Sequence, residues 1–226
     1  MKSVFITGTD TGVGKTWVSC ALMRQLIGEG LRVVGMKPVA TGAIMQDGEL
    51  RNDDAMQLMA NANVDVPYEF VNPYCFAPAI APHIAAHQAG TSISLDVIQH
   101  AYRELAANAD VVVVEGVGGW AVPINAQQTM ADVATILNLP VVMVVGMRLG
   151  CLNHALLTAQ SIQSTSLTLT AWVANIIDPV MPMLQKNIDT LKSHLNASLA
   201  AVVPYVSGVS QANAVHFNVS LYSNLN

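Results

Sequence analysis

The sequence predicts an α/β fold: one domain over residues 1–226, built on a doubly wound, mostly parallel sheet. Three observations carry that prediction. Short apolar runs alternate with helical stretches along the chain, the pattern of strand–helix–strand units. One run, Val111-Val112-Val113-Val114, is apolar at every position, as strands buried on both faces are. The first run, Val4-Phe5-Ile6, passes through small and polar residues into Gly14-Lys15-Thr16 at the start of a helix.

That first connection is a phosphate cradle. Glycines let backbone N–H groups close on phosphate oxygens, the lysine reaches the outer phosphates, and the threonine hydroxyl ligates Mg²⁺. The helix, expected from residue 13 onward, adds a dipole equivalent to about half a positive charge facing the anion. Five residues separate Gly8 from Gly14, one more than the common spacing, and Thr9 holds the usual glycine position.

Composition narrows the classes. The chain has 226 residues, 52% hydrophobic and only 11% charged, where typical soluble domains carry roughly a quarter. A lysine or carboxylate at the end of an apolar strand is therefore a poor candidate for surface filler. No apolar run reaches the ~18 residues of a membrane span, so no membrane partner is expected. Met1-Lys2-Ser3 leads directly into the first strand, so no signal peptide is expected either. Cys20, Cys75 and Cys151 are odd in number and widely spaced, which favours neither a disulfide framework nor a zinc knuckle. A cytoplasmic protein is the expectation. A net charge of −5 with scattered basic residues argues against nucleic acid as a partner.

In order, a helix over 17–27 closes at Gly28 and Gly30, and a strand over 31–36 ends at Lys37-Pro38. Ligands collect beyond the carboxyl ends of open parallel sheets. Lys37 is therefore expected to share a rim with Lys15; the alternative is a solvent-facing lysine. Residues 47–54 are polar and lead into a helix. There Asp53 or Asp54 caps the helix, or one of them lends a carboxylate to the magnesium of Thr16. Residues 68–90 read as loop, then a helix around 83–89. His83 and His87 stand four apart without a completing ligand and read as structural. Glu115 ends the all-valine strand, where such nucleotide enzymes hold magnesium, usually with aspartate. Gly116, Gly118 and Gly119 then allow close backbone approach. A strand over 140–146 leads to a helix starting near Gly150-Cys151-Leu152-Asn153. Its free N–H groups suit a second anion, unless Asn153 merely caps it. A strand over 169–176 carries Asn175, an amide suited to a base edge. A helix around 183–195, a strand near 200–203 and Pro204-Tyr205-Val206 follow.

Taken together, Thr7 to Thr16, Lys37-Pro38-Val39-Ala40-Thr41-Gly42, Val114-Glu115-Gly116-Val117-Gly118-Gly119 and Gly150-Cys151-Leu152-Asn153-His154-Ala155 resemble the dethiobiotin synthetase family over residues 3–206. The lysine-proline and glycine-cysteine segments discriminate, because the cradle alone fits many NTPases. The resemblance implies a P-loop NTPase fold and a homodimer with its active site at the subunit interface. The implied reaction closes the ureido ring of dethiobiotin from diaminopelargonic acid, CO₂ and ATP with Mg²⁺, through a carbamate and its mixed anhydride. ATP would lie along Gly12, Val13, Gly14, Lys15, Thr16, Trp17, Glu115, Gly116, Val117 and Gly118. Asn175 would read adenine, with Pro204, Tyr205 and Val206 near the base. Thr16, Asp54 and Glu115 would hold Mg²⁺, and Lys37, with Lys15, would be catalytic. Thr11, Lys37 and Thr41 would meet the substrate, whose carboxylate would go to Gly150, Cys151, Leu152 and Asn153 contributed by the neighbouring subunit. Gly12 and Asn187 depart from residues seen in some members. Two rivals share the scaffold. Amidating ligases of the cobyrinate type carry a further glutaminase domain, not expected after residue 206. Partition-type ATPase switches place a lysine early in the loop, where this chain has Asp10.

Overall fold

The computed structural model describes residues 3–205 and Phe217. In chain order its elements begin with β1 (Val4–Gly8), α1 (Lys15–Gly28), β2 (Val33–Met36), β3 (Val39–Thr41), β4 (Ile44–Gln46), β5 (Glu49–Arg51) and α2 (Asp53–Ala60). Next come α3 (Tyr68–Val71), β6 (Tyr74–Phe76), α4 (Pro82–Gln88), α5 (Leu95–Asn108) and β7 (Val111–Glu115). The chain continues with α6 (Met130–Leu137), β8 (Val141–Met147), α7 (Cys151–Gln163), β9 (Leu169–Ile176), α8 (Leu184–His194) and β10 (Ser198–Val203).

Six strands form one parallel sheet in the order β10-β9-β8-β1-β7-β2. The predicted doubly wound architecture is thus observed. Side chains alternate across a strand, and β7 shows the consequence. Val112 and Val114 join the core on one face with α5 to α8, while Val111 and Val113 join the other with α1. With helices on both faces, an all-valine strand has no polar side to satisfy.

Some expectations shift. The first helix starts at Lys15 rather than at 13, because Gly14 is its left-handed N-cap at φ 88°. Neither Asp53 nor Asp54 caps α2. Asn52 does, its side-chain oxygen accepting from the N–H groups of Asp54 and Ala55. Asn153 does not cap α7 either; Gly150 holds that position with φ 92°. The polar segment before α2 folds as a β4–β5 hairpin, turning at Asp47-Gly48, both with positive φ. The short β3 pairs in parallel with β6 beside the main sheet.

Close approach matters at Gly35 in β2. A Cβ there would stand 2.6 Å from Cβ of Leu58. The glycine lets α2 lie directly on the strand that ends at Lys37, and so carries Asp54, in the first turn of α2, to the same rim.

Candidate active site

The cradle runs from Gly8 to Thr16 between β1 and α1. Its lysine side chain is buried, and Nζ donates to the Asp10 carbonyl at 3.1 Å. Burial, with the Lys37 charge beside it, pushes the Lys15 ammonium down to about 8. Thr16 follows, its hydroxyl 2.8 Å from Asp54 Oδ1 and 2.9 Å from Glu115 Oε1.

Lys37 is only 3% exposed and does not face solvent. Its Nζ donates to Glu115 Oε1 at 2.6 Å and to Asp54 Oδ2 at 2.7 Å. Burial alone would depress this ammonium, but the two carboxylates outweigh it and hold it above its ordinary value. Burial would raise the Asp54 carboxyl, but Lys37, with the Thr16 hydroxyl, holds it below its ordinary value. The Lys37 backbone is pinned as well: its N–H donates to Val71 O at 2.7 Å, and its carbonyl accepts from Asn72 Nδ2 at 2.7 Å.

Lys15, Thr16, Lys37, Asp54 and Glu115, read from four separated segments, therefore meet in one place. They line a cavity of about 740 Å³ together with Thr11, Gly12, Gly14, Thr41, Val117 and Gly118. Ala79 to Pro82 and Val122, not anticipated from sequence, supply an apolar wall.

The donor set fits a divalent cation. The Thr16 hydroxyl has one proton for two carboxylate oxygens, and Glu115 Oε2 is buried without a partner. Two lysines and two carboxylates leave no surplus positive charge to meet a polyphosphate. A hard cation bound by Thr16, Asp54 and Glu115 through oxygen would supply it.

A smaller cavity of about 210 Å³ lies between Trp17, Asn175, Ile176, Ile177, Val203, Pro204 and Tyr205. Asn175, Pro204 and Tyr205, expected near the base, come together here with Trp17, expected along ATP; Val206 lies outside the described residues. Asn175 Nδ2 also donates to Val13 O at 2.7 Å, locking the cradle to β9. Gly116 is buried directly after Glu115 and its carbonyl lies 3.5 Å from Lys37 Nζ. Gly150, Cys151, Leu152 and Asn153 begin α7, and none of them lines the phosphate-side cavity. Arg148, just before them, pairs with the Asp10 carboxylate of the cradle. A third hollow, about 700 Å³, opens at the opposite, amino-terminal edge of β8 to β10, and among the described residues no ionisable side chain lines it.

Comparison with known proteins gives the family and the fold. A family described as AAA domain matches residues 2–213. The ATP-dependent dethiobiotin synthetase BioD of Aromatoleum aromaticum is 48% identical over 93% of this chain and 94% of its own length. That of Cellvibrio japonicus is 46% identical over 97% and 96%. The chain belongs to the dethiobiotin synthetase family. Among solved structures, the MinD cell division protein of Aquifex aeolicus is similar with a TM-score of 0.58, over 94% of this chain and 86% of that one. At 14% identity that likeness shows the shared fold alone.

Asn52, Tyr68 and Asn72 are the site-supporting residues that sequence reasoning missed. The signal for Asn52 was present: an Asn before Asp-Asp and an apolar run is a helix start.

Proposed function

We propose that this protein closes the ureido ring of dethiobiotin from diaminopelargonic acid and CO₂, using ATP and Mg²⁺. The observation that carries the reading is the buried Lys37 ammonium, held on Asp54 and Glu115 beside the cradle's Lys15 and Thr16. One amine and CO₂ form a carbamate, losing a proton. A carbamate oxygen then attacks the γ-phosphorus and ADP leaves. The second amine attacks the carbonyl carbon of the mixed anhydride and loses a proton, and inorganic phosphate leaves as the ring closes.

Little covalent work falls to the protein. It aligns three reactants and balances charge on the transferred group. Lys15 supplies positive charge at the outer phosphates, and Lys37 supplies it where carbamate and phosphoryl oxygens meet. Bound at Thr16, Asp54 and Glu115, Mg²⁺ would neutralise phosphate oxygens. Thr11 and Thr41 offer hydroxyls to the diamine side of the cavity, and the wall of Ala79 to Pro82 and Val122 keeps water from the anhydride. Trp17, Asn175 and Tyr205 hold the base. The reading includes a cytoplasmic homodimer in which the start of α7 from the neighbouring subunit takes the substrate's distant carboxylate. All three cysteines are free, as a reducing compartment requires.

The deciding assay is ADP release that depends on both bicarbonate and diaminopelargonic acid. Release that needs neither, or that needs glutamine as nitrogen donor, would overturn the reading.

A further inference from the structure

We propose that Tyr68 is a positioning residue for this reaction: its hydroxyl ties the carboxylate Asp54 to the ammonium Lys37 through two asparagines. The inference rests on the ring-closing reading above. Tyr68 opens the single-turn helix α3 and is not among the residues lining the phosphate-side cavity.

Its hydroxyl sits at a junction. It accepts the backbone N–H of Asn52 at 2.9 Å and donates to Asn72 Oδ1 at 3.0 Å. Asn52 is the N-cap of α2: its Oδ1 accepts from Asp54 N at 3.1 Å and Ala55 N at 3.3 Å. Its Nδ2 also donates to the Thr41 carbonyl at 3.3 Å. Asn72 turns its Nδ2 to the Lys37 carbonyl at 2.7 Å and to Tyr74 O at 3.1 Å. One O–H thus joins the segment that carries Asp54 to the segment that carries Lys37. The two side chains then meet again at 2.7 Å. The circuit is closed: hydroxyl, Asn52, Asp54, Lys37, Asn72, hydroxyl.

The ring is held in turn. The Arg51 guanidinium lies 4.1 Å from its centroid, and Cys75 Sγ lies 3.6 Å from the oxygen. Burial pushes the Tyr68 hydroxyl up to about 12, so it keeps the proton that Asn72 receives at neutral pH. An Asn amide presents both a donor and an acceptor. With Oδ1 fixed by the tyrosine, Nδ2 of Asn72 has one orientation, toward the Lys37 carbonyl. Without the O–H the buried amide keeps its two bonds to carbonyls but loses the one that links it to Asn52, and the Asp54–Lys37 pair loses one side of its frame.

The test compares Tyr68→Phe with Tyr74→Phe. Tyr74 supplies the control because its hydroxyl also accepts a helix-cap N–H, that of Ser94 at 2.9 Å, yet reaches neither Asp54 nor Lys37. Steady-state kinetics are taken per nucleotide-binding site, so that unfolded protein does not count, and amide exchange is followed by mass spectrometry in the absence of substrate. Tyr68→Phe is expected to lower kcat about tenfold, with the KM for ATP within about twofold, as misplacement of reacting groups does. Exchange should rise together at Lys37 and at residues 54–55, whereas Tyr74→Phe should keep the wild-type kcat and raise exchange near Ser94 only. An unchanged kcat in Tyr68→Phe, an equal loss in Tyr74→Phe, or exchange that stays unaltered at either segment would overturn the proposal. Wild-type protein that fails to close the ring refutes the functional reading instead, and the exchange result still decides the coupling.

Discussion

A lysine buried between two carboxylates is the residue-scale fact on which the site turns. Isolated, such an ammonium would lose its proton; paired with Glu115 and Asp54 it keeps it. Glu115→Gln removes one of the two carboxylates that support it, and one of the proposed cation ligands. Turnover should drop by about a hundredfold or more, the scale of losing one group that stabilises transition-state charge, with nucleotide still bound. Wild-type kcat at limiting magnesium would dismiss the role. Lys15 shows the opposite balance. Its folded value of about 8 lies below the ordinary 10.5, so the protonated form is disfavoured in the nucleotide-free fold. Folding stability from this group is lowest below pH 8 and recovers as pH climbs toward 10.5. Nucleotide affinity runs the other way, because phosphate needs the charged form. ATP affinity should weaken between pH 7 and 9 with a midpoint near 8, and Lys15→Gln should abolish that step in a titration by calorimetry. These two lysines, Thr16 and Glu115 were legible because each closes a strand or a cradle of distinctive pattern. Spacing alone left Asp54 open between cap and ligand, since it does not say which side chain turns outward; only the family resemblance assigned it to the metal. Tyr68 and Asn72 escaped because their hydrogen bonds join distant segments, whereas the cap of Asn52 was a local signal passed over.

At the scale of elements, the long apolar strands and the helices after β1, β8 and β9 were readable, whereas α5, α6 and the three-residue strands were not read. The pairs β3–β6 and β4–β5 carry too few residues for a period-two pattern to declare itself. The Asp47-Gly48 turn and the Thr129–Asp132 capping box of α6 were the local signals available. One joint between elements is open to direct measurement. Gly14 begins α1 at φ 88°, and a Cβ on it would come within 2.2 Å of Asn175 Nδ2. Gly14→Ala therefore has two costs, a left-handed backbone penalty of about 1–2 kcal/mol and the displacement of Asn175. Asn175→Ala alone leaves the buried Val13 carbonyl without its donor, a loss of about 1–3 kcal/mol. In the double variant the clash is gone and the carbonyl is stranded only once. The loss of the double variant should fall short of the sum of the two single losses by about 1 kcal/mol in denaturant melts. Strict additivity would mean that β9 and the cradle are not coupled through this amide.

The whole molecule poses a question of reach. Diaminopelargonic acid carries its carboxylate far from its amines, and the phosphate-side cavity already has the helix N-terminus of α1 turned toward phosphate. The start of α7 offers a second set of free N–H groups, yet none of Gly150 to Asn153 lines that cavity. Near this start Leu149 is 94% exposed and Leu157, on α7 itself, 57%. In the β9–α8 connection Val180 and Met183 are exposed as well. The proposed homodimer would set one subunit's α7 against the other's cavity and could cover such side chains. A twofold assembly makes that exchange reciprocal. Two crippled proteins then complement each other: Lys37→Gln, which leaves Asp54 and Glu115 an amide donor, and a variant with Asn153→Ala and Leu152→Asp at the α7 start. Mixed one to one with full subunit exchange, half of the dimers carry one partner of each kind. Each mixed dimer has one site with both its lysine and its loop intact, so activity should return to about a quarter of wild type. If lysine and loop act within one subunit, no mixed dimer contains an intact site. Exchange verified by mass, with activity no higher than that of the separate variants, would refute the shared site.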